Sequence, residues 1–327
     1  MTATQWMVGF LLMALYEAHA LNHFPENFVV VNRNNKNPTV LTCSTEPVNG
    51  SITWTHDSAE IEIDHVDYQQ NGGNLTLSYV ETPEVGKYTC WSGNHELSST
   101  YLLLEVQREK DSDSFLSCWA ESYHCRFSCK WNNNEYTAVR VGLGPECTKG
   151  EKSCHWVDGS RPTSNGEFHF ELHHTLSPFA EETNRLEITA EAINEQFMLR
   201  LTKKFYLRDI VQPGIPTIVS CNKVKQNLSV TIAPPANWST PHSFFCLEHQ
   251  IEYILQDDGT SRFSLSHVIP QGIDQLRVRS RDSLLMSNWS QWSHWKNVMT
   301  RRKKHSFQEL PANVLNCYKK KQKEKRI

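Results

Sequence analysis

The sequence predicts an all-β chain of three consecutive β-sandwich modules, and three observations carry that reading. Short apolar–polar alternations recur at Leu75–Tyr79, Tyr101–Val106, Phe168–Leu172, Leu186–Ala190 and Leu228–Ile232, the two-residue period of half-buried strands. Cysteines and tryptophans stand at spacings that suit stapled sheets: Cys43, Trp54 and Cys90 early, then Cys118, Cys129 and Trp131. Near the end, Arg277, Arg279 and Arg281 repeat every two residues, while Trp289, Trp292 and Trp295 repeat every three.

Residues 1–20 read as a signal peptide. Trp6–Tyr16 is an apolar core too short to span a bilayer, and Ala18-His19-Ala20 is a small-x-small cleavage site, although a positive n-region is missing. No later apolar run reaches about 18 residues, so no membrane span is expected. Ten cysteines suit an oxidising route. Five Asn-x-Ser/Thr sequons agree with it: Asn49, Asn74, Asn227, Asn237 and Asn288. The expectation is a secreted, extracellular chain.

The first module covers residues 21–107. Two facing sheets would be stapled by Cys43 and Cys90, with the Trp54 indole against the disulfide and Tyr88, two residues before the second cysteine, at a tyrosine corner. This set resembles an immunoglobulin-like sandwich, although Glu84 stands where aspartate is usual. Core packing accounts for all of these residues.

The second module covers residues 108–211. Cys118 and Cys129 enclose ten residues and are followed by Trp131; a disulfide closing a loop of that size contributes roughly 3 kcal/mol. Phe205–Ile210 reads as the closing strand. Cys147 and Cys154 form one candidate pair, and Cys125 is extra. Gln212-Pro213-Gly214-Ile215-Pro216 follows as a short, stiff hinge.

The third module covers residues 212–299. Cys221 and Cys246 are a further candidate pair, and spacing alone leaves the connectivity open. On a strand, Arg277, Arg279 and Arg281 face one side. Trp289, Trp292 and Trp295 follow the turn period of a polyproline II helix. Three planar cations can stack between three indoles, each contact contributing roughly 0.5–2 kcal/mol. Trp289-Ser290-Gln291-Trp292-Ser293 resembles the WSxWS signature of class I cytokine receptors. With Cys-x10-Cys-x-Trp, it implies a cytokine-receptor homology region of two fibronectin type III-like modules.

Residues 300–327 hold ten Lys and Arg against two Glu, within a chain of formal net charge −3. Such a run reads as a solvated tail, with acidic glycans as a possible partner class. Cys317 lies within it without an obvious partner. The charge balance gives no signal for nucleic acid.

An immunoglobulin-like module ahead of this pair, with no membrane span, resembles the secreted beta chains of the interleukin-12 and interleukin-23 family. Ile52–Thr55, Gly86–Cys90, Phe115–Cys118, Arg126–Cys129, Phe205–Ile210, Trp238–Ser243 and Ser287–Ser290 carry the resemblance. It implies a heterodimer in which this chain holds a four-helix alpha subunit at the elbow of its last two modules and engages a cell-surface receptor. In that family an arginine of the helical partner enters a pocket formed by an acid and aromatics. The matching positions here are Asp282 and Tyr123, with Phe244 in place of a tyrosine and Leu284 and Leu285 in place of two more. The competing expectation is that Asp282 only pairs Arg281 or Arg279. The family also implies C-linked mannose on Trp289 and Trp292. The family's intersubunit cysteine is absent near Ser177–Phe179, and the cysteine before it is replaced by about His174. The two third-module cysteines are also absent, near Ile269 and Asn297. The heterodimer is therefore either non-covalent or linked through Cys125, Cys154, Cys246 or Cys317.

Enzymatic chemistry has no support in the sequence. There is no Gly-rich phosphate loop or GxSxG elbow, and His169, His173 and His174 lack a metal-ligand frame, so no cofactor or metal is expected. A soluble decoy receptor would share the binding chemistry with the opposite outcome, and the ladder argues against an adhesion molecule.

Overall fold

The computed structural model describes residues 21–33, 37–43, 51–106, 114–159 and 166–298, with the backbone of 317–318. The expected signal peptide, the Asn49 sequon and nearly all of the basic tail lie outside the described residues. Among them the chain is almost entirely β. The first strands are β1 (Phe28–Asn32), β2 (Thr39–Thr42), β3 (Ile52–His56), β4 (Ala59–Glu60), β5 (Tyr68–Asn71), β6 (Asn74–Leu77), β7 (Gly86–Ser92) and β8 (His95–Glu105). Next come β9 (Leu116–Trp119), β10 (Arg126–Trp131), β11 (Ala138–Leu143), β12 (Trp156–Asp158), β13 (Phe168–His173), β14 (Leu186–Ile193) and β15 (Phe197–Phe205). The last are β16 (Thr217–Val224), β17 (Asn227–Ala233), β18 (Leu247–Leu255), β19 (Ser261–Ser264), β20 (Val268–Pro270), β21 (Ile273–Asp282), β22 (Lys296–Val298) and β23 (Cys317–Tyr318).

Five sheets result: β12-β11-β14-β15-β8-β7-β3-β4 with β1 added beside β8, then β2-β6-β5, β13-β10-β9, β16-β17-β20 and β19-β18-β21-β22-β23. The chain divides into two compact units. One comprises Met1–Ser117, Cys129–Phe170 and Glu187–Lys204; the other comprises Cys118–Ser128, Glu171–Leu186 and Phe205–Ile327.

In the first unit, Trp54, Leu75, Leu77, Tyr88, Leu102 and Leu104 form a buried core with the joined Cys43 and Cys90. Alternation explains the set: β6 buries Leu75 and Leu77 and turns Asn74 to solvent. The Tyr88 hydroxyl donates to the Glu84 carbonyl at 2.6 Å, which fixes the corner before β7. A second cluster gathers Leu21, Leu103, Ala138, Ile193 and Met198 where β15 pairs parallel to β8. Above it, the Arg140 guanidinium lies 4.2 Å from the Phe24 ring centroid and 4.4 Å from that of Trp156. Arg140 and Arg200 share the buried Glu191 carboxylate, which keeps that charge paired in the core. Cys147 is joined to Cys154 against Gly142, where an added Cβ would meet the Cys147 sulfur at 2.4 Å. Glycine is therefore required there by close approach.

In the second unit, Ile218, Leu228, Val230, Ile251, Ile269, Leu276 and Val278 fill the space between the sheets β16-β17-β20 and β19-β18-β21-β22-β23. Three expectations change here. First, Phe205–Ile210 is not a closing strand. β15 ends at Phe205, and Leu207–Ile210 is one helical turn whose Asp209 carboxylate accepts from the Tyr206 amide at 3.0 Å. Second, Cys221 and Cys246 are not a pair. Cys221 is disulfide-bonded and faces the sandwich core, while Cys246 is a free thiol ahead of β18 with its sulfur toward the Ser243 carbonyl. The two cysteines belong to opposite layers of the sandwich, and sequence spacing does not encode that. Third, Cys317–Tyr318 of the expected tail adds a short strand beside β22. Cys118 and Cys129 are also disulfide-bonded, and Cys125 is a free, exposed thiol.

Candidate functional site

β18 and β21 pair antiparallel, with Glu248 opposite Arg281, Gln250 opposite Arg279 and Glu252 opposite Arg277. All six side chains therefore share one sheet face. The arginines and tryptophans interleave on it. Arg277 lies 4.5 Å from the Trp295 centroid and 4.8 Å from that of Trp292. Arg279 lies 4.5 Å from Trp292 and 4.8 Å from Trp289, and Arg281 lies 4.5 Å from Trp289. Each guanidinium also donates through Nε to β18: Arg277 to Glu252 at 2.6 Å, Arg279 to Gln250 at 2.9 Å and Arg281 to Glu248 at 2.6 Å. The serines of the motif fasten the tryptophan segment to β21. The Ser290 amide donates to the Ser280 carbonyl at 2.7 Å and the Ser293 amide to that of Val278 at 2.8 Å. Their hydroxyls accept from the Ser280 and Val278 amides, each at 3.0 Å.

Asp282 follows Arg281 on β21 and therefore points away from the ladder. Arg281 and Arg279 are occupied by Glu248 and Gln250, so the competing expectation, a pairing of either with Asp282, is not met. The Asp282 carboxylate is only 2% exposed. Its Oδ1 accepts from the amides of Leu284 and Leu285 at 2.8 and 2.9 Å, and its Oδ2 accepts from the Tyr123 hydroxyl at 2.9 Å. Among the described residues no cation forms an ion pair with it. It is thus a buried anion held only by neutral donors. Burial, followed by the Asp282 charge, pushes the Tyr123 phenol well above its ordinary pKa, so it remains a donor.

Tyr123 is fixed from several directions. Its amide donates to the buried Ser239 hydroxyl at 3.0 Å, and its ring stacks on Phe245 with centroids 5.3 Å apart. Trp238 approaches edge-on at 5.9 Å and donates through Nε1 to the Phe245 carbonyl at 2.8 Å. Phe179 packs against Phe244 and Phe245 at 5.6 and 5.5 Å. Phe179, Phe244, Leu284, Leu285 and Met286 are all exposed large apolar side chains, Leu284 at 73%. The second unit therefore combines a sequestered carboxylate with a wet apolar rim, and this arrangement suits a side chain with an apolar stem and a cationic head.

Of the residues expected at a partner site, Asp282, Tyr123 and Phe244 are brought together through these contacts, and Leu284 and Leu285 follow directly on the carboxylate they donate to. Phe179, Phe245 and Met286 were not anticipated there. The adjacent Phe244-Phe245 pair was the available signal, because one can be buried while the other stays exposed. Glu248, Gln250 and Glu252 were also missed as ladder acceptors, although they repeat at the arginine period. Asn74, Asn227, Asn237 and Asn288 are exposed, as glycan attachment requires. Among the described residues, no group of three His, Cys, Asp or Glu is placed to hold a metal ion, and no helix is long and apolar enough to cross a membrane.

Beneath the ladder, His249 Nδ1 lies 2.6 Å from the Ser280 hydroxyl, and its ring meets the His267 ring edge-on at 5.4 Å. Burial, then the charge of His267, lowers its pKa from 6.5 to about 4. The fold therefore holds it neutral while the unfolded chain takes up a proton, so its contribution to stability is lost as pH falls from about 6.5 to about 4. Thermal melts across that window are expected to fall less steeply for His249→Asn than for the unmodified chain. Parallel curves would contradict this assignment.

Comparison with known proteins bears on this site. The family described as "Cytokine interleukin-12p40 C-terminus" matches residues 113–194, which include Tyr123 and Phe179 but not Asp282. The chain is similar to proteins named interleukin-12 subunit beta: 29% identical over 282 residues to that of Sus scrofa, 27% over 292 to that of Homo sapiens and 27% over 287 to that of Felis catus. Each comparison covers 78% of this chain and 84% of the relative.

Proposed function

We propose that this chain, a relative of the interleukin-12 beta subunits, is the secreted beta-type subunit of a heterodimeric cytokine. It captures a four-helix alpha subunit at the face around Asp282, and the assembled pair engages a cell-surface receptor to drive immune signalling. The observation that carries this reading is the buried Asp282 carboxylate, held by Tyr123 and two amides, with no ion-pairing cation among the described residues, and bordered by exposed Phe179, Phe244, Leu284 and Leu285. An arginine from the helical partner supplies the missing charge through a directional contact that water does not weaken. The aliphatic rim receives the partner's apolar side chains, and Leu284 and Leu285 change the shape of that rim without removing its acid.

Among the described residues, the free thiols are Cys125 and Cys246, while Cys154 is consumed by Cys147. The pairing with the helical chain is accordingly non-covalent unless one of those two thiols is recruited.

Co-expression with a panel of four-helix cytokine chains tests the reading. One of them is expected to enter the medium as a 1:1 complex with this chain, and Asp282→Ala is expected to reduce its recovery. Secretion of this chain alone, followed by binding to a preassembled cytokine, would instead favour a decoy receptor.

A further inference from the structure

Among the described residues seven cysteines are disulfide-bonded, and Cys125 and Cys246 are free thiols. Bonded cysteines within one chain come in pairs, so an odd number requires one more participant, and the tenth cysteine of the sequence is Cys317. Cys43 is joined to Cys90 and Cys147 to Cys154, which leaves Cys118, Cys129 and Cys221. Cys118 and Cys129 stand on β9 and β10, neighbours in one sheet, and so suit each other. Cys221 stands on β16 and is fully buried in the core of the third module.

The backbone brings position 317 to that core. β23 pairs antiparallel with β22, Cys317 opposite Val298 and Tyr318 opposite Asn297. Directly opposite residues of such a pair share a sheet face. Val298 is buried in the same cluster as Cys221 and Ile218. Lys296, also on β22, donates to the Ile218 carbonyl of β16 at 2.8 Å. The register therefore puts position 317 on the face that Val298 turns toward Cys221.

We propose that Cys221 and Cys317 form a disulfide that staples the tail to the third module. The bond forms by exchange: a protein disulfide of the secretory route takes the two electrons and both thiol protons and leaves as a dithiol. The staple answers the absence of the cysteines expected near Ile269 and Asn297, since Ile269 lies in the Cys221 cluster and Asn297 pairs beside Cys317. It withdraws Cys317 from any bond to a partner chain, and it closes the segment that carries Arg301–Lys304 into a loop of the third module. β22 pairs with Gln275 and Leu276, toward the end of β21 opposite Asp282, so this inference does not depend on the partner face.

Tryptic mapping of the secreted chain without reductant tests the bond. After cleavage at Arg301–Lys304, the peptide carrying Cys317 is expected to stay joined to the one carrying Cys221 and to separate only on reduction. A thiol assay of the denatured chain is expected to find two free thiols, Cys125 and Cys246. Cys317→Ser is expected to add one thiol, from Cys221, and to lower the melting temperature by about 10 °C. Release of the Cys317 peptide without reductant, or its recovery joined to any other cysteine or to a second chain, overturns the assignment.

Discussion

Asp282→Asn is expected to weaken capture of the four-helix partner at least tenfold, about 1.4 kcal/mol or more, without unfolding the chain. The asparagine carbonyl can still accept from the Leu284 and Leu285 amides, which now share Oδ1. The new amide can still meet the Tyr123 hydroxyl now bound to Oδ2. Only the charge is lost, so the loss falls on whatever cation the carboxylate was held for. Removing an unpaired buried charge also relieves desolvation in the free chain, so its melting temperature is expected to hold or rise. Asp282→Ala cannot separate these effects, because it strips the two amides of their acceptor as well. Surface plasmon resonance with the co-expressed partner, together with a thermal melt of each free variant, checks both halves. A fall in melting temperature that accounts for the affinity loss would move Asp282 from recognition to scaffolding.

Arg277→Ala is expected to destabilise the third module by about 3 kcal/mol. The substitution removes contacts with two indoles, Trp292 and Trp295. It also strands the Glu252 carboxylate, which is buried and otherwise accepts only from the Ser261 hydroxyl. Arg277→Lys keeps a charge near Glu252 but loses the planar stack, so an intermediate cost of about 1.5 kcal/mol is expected. Arg281→Ala is the internal control. It loses one indole, and its acid Glu248 is partly solvated, so about 1 kcal/mol is expected. Urea unfolding of the three variants checks the order. An Arg281→Ala cost equal to that of Arg277→Ala would mean that the stack and the buried acid add nothing. On this account the ladder is a clasp: it fixes β21 and the segment after it, and so fixes where Asp282 stands.

Much of this was legible in the sequence because strand periodicity is local. The two-residue arginine repeat and three-residue tryptophan repeat sufficed to interleave the ladder, and the spacing around Cys43, Trp54, Tyr88 and Cys90 sufficed for the first core. The same parity could have settled Asp282. As the neighbour of Arg281 on one strand, it must face the other side, and an Arg281 partnership was never geometrically open. Other features depend on which distant segments meet. Phe179 joins Phe244 and Phe245 only after two segments far apart in sequence converge, and nothing near Phe179 announces that. Cys221 and Cys246 sit at a plausible spacing, yet one faces the core and the other leads into β18, so layer assignment had to come first. Phe205–Ile210 alternates well enough for a strand, but the Asp209 carboxylate captures the Tyr206 amide and turns the end into a helix.

The central claim is that this chain leaves the cell bearing a helical subunit on the Asp282 face. Native mass spectrometry of the chain purified from the medium of cells that naturally secrete it tests that claim most directly. The account predicts a 1:1 complex with one four-helix chain, which dissociates when the purified chain carries Asp282→Asn at the same concentration. A chain recovered only by itself, or a helical complex equally stable with asparagine at position 282, would contradict it.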